Sequence, residues 1–191
     1  MKRVFLFTAA IAVSISASAE AKWTKCDKGD FTEITQQGGL TLGYSENSGI
    51  KILTVDGFAF KDLNRNGKLD KYEDWRLSSV ERAKDLASQL SLDEITGLML
   101  YSQHQQIPET RGTWSGKRFS EAHIAPSALT DQQKKFVIED NVRHILITRV
   151  QNAYVAAEWN NNLQSICEGI GHGIPANNSP DPRHVPGKSN D

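Results

Sequence analysis

The sequence has few cysteines and almost no excess charge, and each shortage excludes a class of protein. Only two cysteines, Cys26 and Cys167, occur in 191 residues, so no disulfide framework can hold the fold together. Cys167 lies in an apolar helical pattern, which favours a buried free thiol over a bridge to Cys26. The net charge of −1 at pH 7 gives no reason to expect nucleic acid or an anionic membrane as partner.

The sequence also lacks a hydrophobic run long enough to span a bilayer. Its longest apolar stretch, from Val4 to Ile15, follows two basic residues and precedes Ala17-Ser18-Ala19. This order predicts a signal peptide over residues 1–19, with the mature protein beginning near Glu20 in the periplasm or outside the cell. Removal of the signal peptide would take away Lys2 and Arg3 and leave 20 of the 22 basic residues against 23 acidic ones, a net charge of −3. The mature protein is then expected to have no membrane span.

Zinc and serine-nucleophile motifs are missing as well. The five histidines show no H-E-x-x-H spacing, which argues against a zinc site. Ser115 lacks the glycine that a nucleophile elbow places two residues earlier.

Residues 20–61 have a β-like, glycine-punctuated pattern. Asp56-Gly57 separates the apolar runs Ile50–Val55 and Phe58–Phe60, and this arrangement predicts a two-residue hairpin. We therefore expect a small β-rich extension ahead of the main domain.

The stretch from Asp62 to Glu73 matches an EF-hand calcium loop over twelve positions. Gly67 stands at position 6, where the loop turns sharply. Oxygen donors stand at positions 1, 3, 5, 7, 9 and 12, with position 7 offering only its backbone carbonyl: Asp62, Asn64, Asn66, Lys68, Asp70 and Glu73. We expect a structural Ca²⁺ of modest affinity that braces the extension against the first helix. The alternative is an Asn/Gly-rich surface turn without metal.

Residues 74–191 follow an α/β pattern. Three capping boxes, at Ser78, Ser91 and Thr130, predict helix starts. The first helix places Val80, Ala83, Ala87 and Leu90 on one stripe. A polar stretch from 103 to 127 reads as a long loop. Beyond it, a strand over 144–150, a helix with apolar residues from 155 to 170, and a strand over 174–178 predict a βαβ unit with parallel pairing.

Several segments together resemble glycoside hydrolase family 3, especially its exported bacterial β-glucosidase-like members with an EF-hand-like loop near their start. The segments are Asp70–Arg76, Glu81–Glu94, Trp159–Gln164, Gly173–Pro175 and Asp181–His184. The resemblance implies the start of a (β/α)₈ TIM-type barrel, left incomplete because such a barrel takes about 250 residues. It also implies a retaining hydrolase that removes terminal non-reducing sugars from β-linked glucosides or related oligosaccharides.

By this resemblance, Asp181 accepts hydrogen bonds from sugar hydroxyls, and Arg183 and His184 belong to the same substrate loop. The alternatives are a turn aspartate beside two prolines, and solvated or ion-paired charges. The family's two catalytic carboxylates are expected outside this sequence, so no catalytic residue is assigned and the chain alone is expected to be inactive. Two other hypotheses stay open: a calcium-braced carbohydrate-binding or interaction protein without catalysis, and a non-functional gene fragment.

Overall fold

The structure is a computed structural model that describes residues 20–107, 125–147 and 150–180. The predicted signal peptide, residues 1–19, lies outside these ranges. Helices and strands are mixed in the described residues, which confirms the α/β prediction, and the strands form three small sheets. A closed barrel is not present in the described ranges.

The extension holds five strands in two antiparallel sheets. The first sheet joins β1 (Trp23–Asp27), β2 (Thr32–Gln36) and β3 (Leu42–Tyr44) as a meander. After a single 3₁₀ turn at Glu46–Ser48, β4 (Lys51–Val55) and β5 (Phe58–Asp62) form the second. The predicted hairpin and β-rich character are therefore confirmed, whereas the domain boundaries stay a prediction.

The hairpin between β4 and β5 turns at the dipeptide that the sequence indicated. Asp56 and Gly57 both have positive φ, 56° and 85°. A two-residue turn of this kind requires positive φ at both central positions, because its twist then matches that of the strands. Val55 pairs directly with Phe58 across the turn.

Four helices follow within the described ranges: α1 (Ser79–Gln89), α2 (Leu92–Leu98), α3 (Asp131–Ile138) and α4 (Ala153–Glu168). The capping boxes predicted at Ser78, Ser91 and Thr130 are all formed. In each, the N-cap hydroxyl oxygen accepts from the backbone N–H three residues later, and the side-chain oxygen of that later residue accepts from the N-cap backbone N–H. None of the described helices has the length and hydropathy that crossing a bilayer requires.

The third sheet is parallel, and its three strands stand in chain order. They are β6 (Tyr101–Gln103), β7 (His144–Ile147) and β8 (Asn177–Pro180), with β7 in the middle. The parallel pairing of β7 and β8 around α4 confirms the βαβ prediction. The prediction of the second strand at 174–178 is wrong in its bounds, because Ile174 to Ala176 lead up to the strand without belonging to it and β8 continues to Pro180.

Strand β6 was not predicted. Its last residue, Gln103, is the first residue of the predicted loop, and its other two residues were assigned to no element. Three residues carry no readable periodicity, and Tyr101 is 59% exposed. The sequence consequently predicted two strands where the structure has three.

The core of this parallel unit lies under α4. Trp159, Leu163 and Cys167 recur at helical spacing and are fully buried against β7 and the approach to β8, where they meet Leu129, Val137, Ile145 and Ala176. Cys167 is a buried free thiol and Cys26 an exposed one, as the sequence favoured.

The stripe predicted on α1 is not buried. No residue of α1 is buried, Val80 is 62% exposed, and Leu90 caps the helix rather than belonging to it. Periodicity identified an apolar stripe on this helix, but it does not supply a neighbour that would cover the stripe.

Replacing Leu163 by Ala should lower the free energy of unfolding by about 2–5 kcal/mol, because the residue is 0% exposed and its removal leaves a cavity. Urea unfolding followed by circular dichroism measures this. Tyr154→Ala, on the exposed side of the same helix, should change it by no more than about 0.5 kcal/mol. Equal losses in the two variants would contradict the assigned core.

Candidate functional site

The segment predicted to bind calcium begins where β5 ends. Asp62 is the last residue of the strand, the segment ends in a turn at 71–73, and a second turn at 75–76 precedes α1. The loop is thus preceded by a strand rather than a helix, as expected from the sequence. We call residues 62–73 the acidic loop.

Side-chain oxygens at positions 1, 3 and 5 hold the backbone of the acidic loop. Asp62 Oδ2 accepts from the Gly67 N–H at 3.0 Å, and Asn64 Oδ1 accepts from Asn66 N–H at 3.1 Å. Asn66 Oδ1 in turn accepts from the Lys68 N–H at 2.8 Å. These bonds turn the chain around its own polar side chains, and Gly67 takes a left-handed φ of 75° at the sharpest bend.

Glu73, at position 12, folds back over the start of the loop. Its carboxylate accepts backbone N–H groups from Leu63 at 2.7 Å, Asn64 at 3.3 Å and Asp70 at 3.0 Å. The residue is buried, and burial raises the pKa of its carboxyl although the three backbone donors favour the charged form.

Asp70, at position 9, accepts hydrogen bonds from the side-chain amides of both asparagines. Its Oδ2 accepts from Asn64 Nδ2 at 2.6 Å and from Asn66 Nδ2 at 2.8 Å. Positions 3, 5 and 9 therefore face one another across the loop.

One carboxylate oxygen of the acidic loop is buried without a hydrogen-bond partner within the described residues. Asp62 is 1% exposed, and its Oδ1 is buried and unpaired. An unpaired buried carboxylate oxygen is costly, and a cation would satisfy it. The residues fit calcium in their donor chemistry, because Ca²⁺ takes carboxylate, amide and carbonyl oxygens.

Carboxylates alone do not make this a metal site. Across the three described ranges, no three His, Cys, Asp or Glu side chains gather closely enough to hold an ion. An ion would also need the amide oxygens of Asn64 and Asn66 and the carbonyl of Lys68.

The residues directly after the loop clamp it to the β4–β5 hairpin. Trp75 stacks on Phe60 with ring centroids 5.3 Å apart and donates its indole N–H to the Ala59 carbonyl at 3.0 Å. Arg76 donates to both carboxylate oxygens of Asp74, at 2.9 and 2.7 Å, and to Asp56 at the hairpin turn. In the described structure, the Asp-Trp-Arg part of the family-like motif therefore attaches the loop to the hairpin by packing and hydrogen bonds.

A cleft of about 500 Å³ separates the extension from α4. On its wall, Glu168 accepts the Ser45 N–H at 2.9 Å and pairs with Lys61 Nζ at 2.6 Å. Ser165 Oγ lies 2.8 Å from Ser45 Oγ. Sequence reasoning missed these contacts, because residues more than a hundred positions apart carry no local signal of their pairing.

Asp181, Arg183 and His184, the candidate sugar-binding residues, lie outside the described residues. In the sequence, Asp181 directly follows Pro180, the last residue of β8. Carboxyl ends of parallel strands are where α/β enzymes place substrate residues, and the strand preceding Asp181 is parallel to β7.

Comparison with known proteins supplies the context for these sites. No family model matches the chain. The chain is 40% identical over 140 residues, 72% of its length, to a periplasmic beta-glucosidase/beta-xylosidase of Dickeya chrysanthemi. The chain contains a glycoside hydrolase family 3-like N-terminal region. The match spans 20% of the relative's length, so the family 3-like region corresponds to about a fifth of that protein.

Acidification should weaken the clamp after the loop. The bonds from Arg76 hold the pKa of Asp74 below its usual value, so the stability that Asp74 contributes is present above about pH 4 and is lost as the pH falls through the lowered pKa. Asp74→Asn should cost about 1 kcal/mol at pH 7, since Arg76 is partly solvated, and the difference from the native chain should shrink below pH 4.

The matched control for that prediction is Asp56→Asn, which removes the other, 71% exposed partner of Arg76. Asn tolerates the left-handed turn position of Asp56, so little change is expected. Chemical unfolding at pH 7 and pH 3 measures both variants, and a pH-independent loss in Asp74→Asn would contradict the assigned ion pair.

Proposed function

We propose that this chain is the N-terminal portion of a periplasmic or secreted retaining glycosidase. Its substrates are β-linked glucosides or related oligosaccharides, from which it removes the terminal non-reducing sugar. The observation that carries the proposal is the 40% identity to a periplasmic beta-glucosidase/beta-xylosidase. Retention requires two carboxylates about 5–5.5 Å apart, and by the family resemblance both come from outside this chain.

The parallel sheet supports a barrel start as the architecture. The strands β6, β7 and β8 are adjacent in chain order, and α4 connects the last two. A (β/α)₈ barrel repeats this arrangement around a circle. The outer strands β6 and β8 each pair only with β7 in the described part of the chain, and both edges could accept the next barrel strands.

Asp181 is proposed to bind hydroxyl groups of the terminal sugar, with Arg183 and His184 shaping the same loop. A carboxylate can accept two hydroxyl donors at once, and charged hydrogen bonds are stronger than neutral ones. Support comes from the position of Asp181 in the sequence, one residue beyond β8.

A chimaera tests this function. Residues 20–184 of this chain would replace the corresponding segment of the Dickeya enzyme, and hydrolysis of aryl β-glucosides and β-xylosides would be measured. We expect activity to be retained and Asp181→Asn to lower kcat/KM by about a hundredfold or more, since a charged hydrogen bond made in the transition state is lost. Asp93→Asn, a surface acid in the first turn of α2, is the control and should change kcat/KM little.

Two results would contradict the proposal. A correctly folded chimaera without glycosidase activity would refute the proposed role of this region, and an Asp181→Asn chimaera with unchanged kcat/KM would refute the role of that residue. The 191-residue chain alone is expected to release no nitrophenol from aryl β-glycosides, and release would refute the placement of catalysis elsewhere.

We further propose that the acidic loop holds a structural Ca²⁺. The support is the twelve-position pattern, the inward-facing polar side chains, and the unpaired buried Oδ1 of Asp62. When bound, the ion would supply positive charge among Asp62, Asp70 and Glu73 and brace the β5 end against the segment leading to α1. With three carboxylates, its affinity should fall in the range of extracellular modules, with Kd about 10⁻⁴–10⁻³ M.

Calorimetric titration of the chain with Ca²⁺ checks this. Asp62→Asn should weaken binding about tenfold or more, because it keeps the side-chain shape and removes a buried charge. Asp93→Asn removes an equal charge outside the loop and should leave the Kd within about twofold. No calcium uptake by the native chain would refute the site.

A further inference from the structure

Three residues of the acidic loop that are not candidate ligands contact the turn that precedes β8. We call residues 169–173, between α4 and the approach to β8, the glycine turn. Arg65, at loop position 4, donates from Nη1 to the Gly169 carbonyl at 2.6 Å. Tyr72, at position 11, meets the His172 ring edge to face, with centroids 6.0 Å apart.

Leu63, at loop position 2, packs on Gly173 so closely that no larger residue fits there. A Cβ added at Gly173 would lie 2.8 Å from the Leu63 side chain, and Gly173 has a left-handed φ of 66°. Gly169 is equally tight on its other side, where a Cβ would lie 2.5 Å from the Ser48 carbonyl. The glycine turn is thus held between the acidic loop and the extension.

The conformation of Arg65 depends on the loop. Arg65 has a φ of 60°, in the left-handed region that non-glycine residues seldom adopt. The bond between Asn64 Oδ1 and the Asn66 N–H spans this residue and keeps it there. Whatever orders the side chains of Asn64 and Asn66 therefore also orders the residue that reaches Gly169.

We propose that an ion in the acidic loop positions β8 by fixing the grip of Leu63, Arg65 and Tyr72 on the glycine turn. This inference rests on the calcium site proposed above and adds a role for Arg65 as a positioning residue. The glycine turn leads through Ile174 to Ala176 into β8, so the ion influences where β8 is held.

Thermodynamic linkage between calcium binding and these contacts gives a test. The direction in which calcium affinity changes distinguishes coupling to the glycine turn from a simple charge effect. If calcium strengthens the grip, breaking the grip must weaken calcium binding by the same factor. Arg65→Ala removes a positive charge near the ion, which by electrostatics alone should tighten binding. Lys71→Ala removes the same charge from an exposed, non-ligand position of the loop and is the matched control.

We expect Arg65→Ala to bind Ca²⁺ about fivefold more weakly than Lys71→Ala, measured by calorimetry on the 191-residue chain. Ala keeps the backbone preference of a non-glycine residue, so the strain at φ 60° is nearly unchanged. A second variant acts from the other side of the interface: Ser165→Ala loses the hydroxyl contact with Ser45, carries no charge change, and should also weaken binding.

Amide hydrogen exchange supplies a readout that does not depend on affinity. In the native chain, saturating Ca²⁺ should slow exchange about tenfold or more at Gly173, which donates to Ile170, and at Asn177, which donates to Arg143. The slowing should be several-fold smaller in Arg65→Ala and unchanged in Lys71→Ala.

The outcomes separate the two proposals. Calcium binding by the native chain with equal affinities in Arg65→Ala and Lys71→Ala, or with no slowing at Gly173 and Asn177, would overturn the coupling and leave the calcium site standing. No calcium uptake by the native chain would overturn both.

Discussion

The carboxylate of Glu168 joins the two parts of this molecule. It is the last residue of α4, where a negative charge opposes the helix dipole. Lys61 from β5 and the backbone N–H of Ser45 offset that cost at 2.6 and 2.9 Å. Because the pair is largely shielded from water, with side chains 26% and 12% exposed, removing either partner would leave an uncompensated charge.

Around this contact, the extension, the acidic loop and the glycine turn form one continuous support for β8. The extension contributes Ser45 and Ser48 to the end of α4, and the acidic loop contributes Arg65 to the same helix end. The clamp of Trp75 and Arg76 then fixes the far end of the loop to the hairpin. A segment that could be taken for an independent N-terminal module is thus built into the approach to the third parallel strand.

Local patterns predicted their elements well. The capping boxes at Ser78, Ser91 and Thr130 and the hairpin at Asp56-Gly57 all formed, because each depends on hydrogen bonds or φ values within a few residues. The family resemblance is confirmed at the level of a glycoside hydrolase family 3-like region. The bound calcium and the sugar-binding roles of Asp181, Arg183 and His184 stay predictions, the three residues lying outside the described ranges.

The sequence by itself determined the α/β class, the crossover from β7 to β8, and the turn at Asp56-Gly57, since periodicity and spacing encode these locally. Only the tertiary structure decided that the stripe on α1 is exposed, that β6 joins the parallel sheet, and that Arg65 and Glu168 link the extension to α4. Those features depend on which surfaces meet across a hundred residues or more, and a side chain's type does not specify its distant neighbour.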